Sequence, residues 1–246
     1  MNKKLTNVWE GIYPLIIYTF LLSFIVSVLQ EYTALEQVSA MLLQAVSKLL
    51  CIFPMLYFLH KAPRGAAKTK NKVKDALLII LLAVLFNIAF NNIISLTPLK
   101  AWSASYQEIE ATIYSDSLIW QIVSVGILAP ILEETVFRGI LFHNLRAAVG
   151  SWPAMIASGI IFGLMHYNLV QFVYAFLLGI FFAYLLEKTG ELWTCILAHI
   201  AANLFSLFST DLGIIRWMFS EVTICLLTGI FALIAAVVIL IKWKKL

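Results

Sequence analysis

Charge is what this sequence has least of. Asp, Glu, Lys and Arg make up 12% of its 246 residues, against 62% hydrophobic residues and a mean hydropathy of +0.95. So few charges cannot clothe a water-soluble surface, and the apolar runs approach the ~20 residues that cross a bilayer. Cysteine is scarce as well. Cys51, Cys195 and Cys225 are odd in number and show no Cys-x-x-Cys spacing, so they suggest neither a disulfide framework nor a thiolate metal site. Internal repeats, low-complexity tracts and a soluble domain are also missing.

These features predict an all-α fold: a polytopic membrane helix bundle of about eight transmembrane helices, forming a single integral membrane domain over residues 1–246. The spans are expected near 12–30, 38–59, 75–97, 118–145, 151–167, 169–187, 191–210 and 219–241. The fifth is short and almost touches the sixth, so the two could form one broken or re-entrant element. The first reads as an uncleaved anchor.

Basic residues collect at one set of boundaries: Lys3 and Lys4, then Lys61, Arg64, Lys68, Lys70, Lys72 and Lys74, then Lys242, Lys244 and Lys245. The opposite loops carry Glu31, Glu36, Glu108, Glu110, Asp116 and Asp211 against Lys100 and Arg216. Since Lys and Arg accumulate on the cytoplasmic side, both termini are expected there. The formal net charge of +4 is then a topology signal and a lipid-surface contact, and implies no nucleic-acid partner.

The stretch Leu-Glu-Glu-Thr-Val-Phe-Arg-Gly at residues 132–139 puts three charges inside the fourth span. Glu134 and Arg138 are an i, i+4 pair on one helical face, whereas Glu133 is rotated about 100° away. The pair fits helix packing. The spare carboxylate fits a functional site, because an ionisable group at membrane depth costs at least ~2.5–3.5 kcal/mol.

Other polar residues fall at similar depth. Glu133 lies about 20 Å before Arg146, and His166 about 22 Å after Ser151, across a hairpin at residues 148–151. His199 and Asn203 repeat the i, i+4 spacing on the seventh span. Singly, such residues often serve as interhelical glue, the reading that suits Asn87, Asn91 and Asn92. Together they can do chemistry: a carboxylate out of water takes a proton from water, an imidazole orients it, and His or Asn donors hold an oxyanion.

Glu133-Glu134-x-x-x-Arg138, Phe162-x-x-x-His166 and His199-x-x-x-Asn203 resemble, in order, the three motifs of the CPBP family, the CAAX proteases and bacteriocin-processing enzymes also called Abi proteins. The resemblance spans about residues 118–210. It implies that Glu133 with His166 activates water, that His199 and Asn203 hold the oxyanion, and that Glu134, Arg138 and Phe162 support them. It further implies a membrane-associated, prenylated or leader-type peptide as substrate. Zinc is the family's other possibility, with Glu133, His166 and His199 as ligands. A cofactor-free mechanism is preferred, because Asn203 is a poor zinc ligand and a natural oxyanion donor. His-Glu-x-x-His, Gly-x-Ser-x-Gly and an intramembrane Asp pair are absent, which disfavours other protease classes. Two non-enzymatic readings stand beside this one. The first is a non-catalytic protein for bacteriocin self-immunity or regulation of a membrane partner. The second is a small transporter, which would call for inverted repeats that the sequence lacks.

Overall fold

The computed structural model describes residues 2–33, 38–65 and 71–244. Lys68, Lys70, Lys245 and Glu36, part of the expected charge asymmetry, lie outside them. Every regular element among the described residues is a helix. We number these α1 (Lys3–Thr33), α2 (Ala40–Lys61), α3 (Lys72–Ser95), the short α4 (Leu99–Trp102), and α5 (Ala104–Tyr114). There follow α6 (Leu118–Val149), α7 (Ser151–Leu164), α8 (Leu169–Thr189), α9 (Leu192–Asp211), the short α10 (Ile214–Met218) and α11 (Val222–Lys244).

Eight of these correspond to the expected spans. Six are long and apolar enough to cross a membrane singly, and α5 with α6, bent by 119° at the break between them, makes a seventh. The difference lies in α7. At 14 residues it is about 21 Å long, short of the ~30 Å hydrocarbon layer. Its far end, and His166 just beyond it, therefore stop at membrane depth. Large apolar side chains such as Phe20, Phe24, Phe53 and Phe231 point outward, as lipid-facing residues do.

Polar contacts at the two ends of the bundle hold different chain segments together. At one end Arg146 pairs with Glu187 (2.5 and 3.0 Å), Lys188 donates to the Trp243 carbonyl (2.9 Å), and Trp243 donates to Asp75 (3.3 Å). At the other, Ser39 and the Met41 amide donate to Asp116 (2.5 and 3.0 Å), Tyr114 meets Thr210 (3.1 Å), and Lys100 lies over Phe219.

Between the ends, amides and glycines join the helices. The Asn87 amide donates to the Ala202 carbonyl and Ser206, tying α3 to α9. Asn92 donates to the Cys225 carbonyl and Thr228, tying α3 to α11. The α7–α8 hairpin closes where side chains are absent: a Cβ on Gly163 would stand 2.8 Å from the Phe172 carbonyl oxygen, and one on Gly179 would stand 3.1 Å from Gly159 Cα. The three cysteines are free and buried, as packing residues.

Candidate active site

Helix α6 is not uniform. Two π-helical stretches, Ile122–Leu128 and Thr135–Phe142, flank a single α-helical stretch, Ala129–Glu134, that carries both glutamates. Proline accounts for the first. Pro130 has no N–H to give, and the preceding amide, Ala129, already bonds in the wider register to Ser124 O. In that register Pro130 would have served Val125 O. That carbonyl instead accepts from Asn203 Nδ2 at 2.8 Å. Wide turns of this kind are frequent at functional sites, because they re-aim side chains without ending the helix.

The three charges then separate by environment. Glu134 and Arg138 are fully buried and paired at 3.1 Å. The guanidinium is enclosed by aromatic rings, 4.3 Å from the Phe162 centroid and 5.4 Å from that of Phe182. The same Glu134 oxygen also accepts from His199 Nδ1 at 2.8 Å, so Glu134 is committed to holding two neighbours. Glu133 is different: its side chain is 20% exposed, and Oε2 lies 3.9 Å from His199 Nε2.

Glu133 and His166 line one cavity of ≈ 200 Å³ between α1, α6 and the end of α7. The turn that presents His166 is built by its neighbours. Tyr167 takes a left-handed φ of 56°, which reverses the chain within one residue at a cost of roughly 1–2 kcal/mol. The Asn168 side chain caps α8 by accepting from Gln171 N, and donates back to the His166 carbonyl. His166 Nδ1 lies 2.9 Å from Phe162 O, an acceptor only, so Nδ1 donates there and Nε2 is the ring nitrogen left without that bond. Phe162 stands edge-on to both histidines, at 5.0 Å from His166 and 5.9 Å from His199.

The four motif residues are thus not around one point. Glu133 and His166 share the cavity and His199 touches both glutamates, but Asn203, one turn further along α9, lines a different cavity. Among the described residues no three His, Cys, Asp or Glu side chains are gathered to hold a metal ion. His199 Nδ1 is taken by Glu134, which leaves Nε2, 3.9 Å from Glu133, as the ring nitrogen that could meet a metal, but His166 is not gathered with them.

Sequence reasoning passed over two contributors. Helix α1 lends Tyr18, Thr19 and Ser23 to the cavity wall, a polar set on an otherwise apolar span. Lys48, in the middle of α2, donates to Gln44 (3.3 Å) and to Ser124 of the first π-helical stretch (3.0 Å), within Coulombic reach of Glu133. A cation inside a span was the available signal.

The family comparison falls on this same stretch. Residues 115–205 match the family model described as "Type II CAAX prenyl endopeptidase Rce1-like". The Bacillus subtilis protein named "Putative membrane peptidase YdiL" is 36% identical over 84 residues, 34% of this chain and 34% of that protein. The chain thus matches about a third of that curated relative's length. No solved structure matches. The family match lies with the CAAX-protease resemblance carried by the three motifs, on the part of the chain that contains Glu133, His166, His199 and Asn203.

Proposed function

We propose that this protein is an intramembrane endopeptidase acting on a membrane-associated peptide. The observation that carries the reading is the division of labour between adjacent glutamates: Glu134 is spent on Arg138 and His199, while Glu133 opens into a cavity shared with His166.

A water between the Glu133 carboxylate and His166 Nε2 has both of its protons directed at acceptors, leaving an oxygen lone pair for a peptide carbonyl. Glu133 takes one proton as the water oxygen bonds to the carbonyl carbon. The oxyanion formed is held by His199, when Nε2 carries a proton; the motif resemblance gives Asn203 the same duty, and a substrate reaching from the Glu133 cavity into the neighbouring one would meet its second N–H. When the C–N bond breaks, the proton on Glu133 passes to the departing amine. Arg138 and Phe162 position this machinery: the first fixes Glu134, and the second packs between the histidines. With both termini cytoplasmic, the Arg146–Glu187 end of the bundle faces the cytoplasm of a bacterium.

The test is cleavage of prenylated and leader-type peptides by purified protein in lipid, with and without a zinc chelator. Cleavage that resists the chelator and is lost in Glu133→Gln supports the proposal. A well-folded protein that cleaves nothing, with Glu133→Gln still sustaining its cellular role, would turn the assignment to a non-catalytic immunity or regulatory partner.

A further inference from the structure

At the end of the bundle marked by Lys3, Lys4 and Arg146, a cavity of ≈ 130 Å³ opens between α1, α2 and α6. Glu10 of α1 and Lys61 of α2 both line it, within Coulombic reach of each other. Opposite charges so placed ordinarily pair. Among the described residues no ion pair joins them, and each is held by a tyrosine of its own helix: Tyr13 donates to Glu10 at 3.2 Å, and Lys61 donates to Tyr57. A fixed anion and a fixed cation therefore face one space without neutralising each other.

The α6 wall adds a third directed group. Asn144, only 4% exposed, spends Nδ2 on the Ile140 carbonyl at 2.9 Å. That carbonyl accepts only, which fixes the amide and leaves Oδ1 as an acceptor beside the cavity. Helix α1 comes close to this wall because Gly11 has no side chain: a Cβ there would stand 3.2 Å from Asn144 Cβ.

The surroundings set the cavity at headgroup level. Trp9 and Tyr57 are exposed, and the Tyr13 ring meets those of Trp9 (5.8 Å) and Phe58 (5.5 Å). Aromatic rings and basic residues gather where lipid headgroups meet water. Ile17, seven residues after Glu10 on the same helical face, is exposed and continues the path toward the bilayer centre, as an acyl chain would. The volume is below the ~300 Å³ at which drug-sized pockets begin, so only a small polar group enters. A primary ammonium can donate to Glu10 and Asn144 together, whereas a quaternary one has no N–H to give.

We propose that this cavity binds the phosphoethanolamine headgroup of a phospholipid, with Glu10 and Asn144 Oδ1 accepting from the ammonium and Lys61 pairing the phosphate. The headgroup then bridges α1, α2 and α6. This binding stands independently of the peptidase reading.

Phosphatidylethanolamine and phosphatidylcholine carrying the same dye-labelled acyl chain are titrated onto the purified protein in detergent. The ethanolamine lipid should bind about tenfold more tightly, as charge-assisted hydrogen bonds require. Glu10→Gln should bring it to the affinity of phosphatidylcholine, and continued binding of both lipids reports that the variant is folded. Lys61→Met should weaken both lipids alike, and Lys61→Arg should retain both. Equal binding of the two lipids by wild type, or a preference that survives Glu10→Gln, would overturn the proposal. So would phosphatidylglycerol binding as tightly as phosphatidylethanolamine, the mark of an unselective basic surface. Displacement of the label by equimolar glycerophosphoethanolamine would also overturn it, by making the ligand a soluble headgroup and not a bilayer lipid.

Discussion

His199 Nδ1 lies 2.8 Å from Oε1 of Glu134, and that same oxygen receives Arg138 at 3.1 Å. One buried carboxylate therefore sets the orientation of the imidazole and neutralises the guanidinium.

Removing either partner of this pair leaves a charge buried and uncompensated. Glu134→Gln and Arg138→Met are each expected to lower stability by about 3–5 kcal/mol, and the double substitution by less than the sum of the two. Thermal unfolding in detergent measures this. Single variants as stable as wild type would contradict the pairing.

Asn203 has a structural duty besides any catalytic one. Asn203→Ala leaves the Val125 carbonyl, already deprived of a donor by Pro130, without a partner. A loss of about 1–3 kcal/mol in stability is expected in addition to the effect on turnover. If only turnover falls, the bond to Val125 contributes nothing.

Lys48 and Ser124 give the opposite asymmetry. Ser124→Ala strips a hydrogen bond from an ammonium that remains inside the membrane, while Lys48→Met removes the charge itself. The serine variant should be the less stable of the two, by about 1–3 kcal/mol. The reverse order in the same unfolding assay would overturn this account of Lys48.

Asp116 supplies a pH dependence. Desolvation is the largest single influence and raises its pKa, but the hydrogen bonds from Ser39, Met41 N and Ser117 N together outweigh it, so the carboxyl is held below its ordinary value. A depressed folded-state pKa stabilises above the unfolded value of about 3.9 and loses that contribution as pH falls through the folded value. Wild type should exceed Asp116→Asn in stability near neutral pH, and the gap should close in strongly acidic solution. A gap independent of pH would contradict the assignment.

Much of this was legible in the sequence, and what was not has a physical cause. Apolar run length located the helices and marked the span at α7 as short, but the turn that ends it was not legible, because it depends on a left-handed residue at Tyr167 that sterics disfavour. The Glu134–Arg138 pair followed from helical spacing. The second partner of Glu134, His199, did not, since it arrives from another helix. Equal-depth arithmetic put Glu133 level with His166. It could not separate Asn203 from them, because it assumes a regular helix and α6 is π-helical on both sides of the glutamates. Lys48 and the α1 wall carry no mutual spacing that points to the site, since they reach it from helices remote in sequence from the motif residues.

The central claim is that Glu133, and not its neighbour, acts on water. The most direct measurement is single-turnover cleavage of a membrane-anchored peptide by wild type and Glu133→Gln, each first shown to be folded by thermal unfolding. The account predicts that Glu133→Gln keeps wild-type stability within about 1 kcal/mol, because its contact to His199 is long, at 3.9 Å, and its side chain is partly exposed, and that its cleavage falls to background. Cleavage at the wild-type rate by a folded Glu133→Gln protein would contradict it.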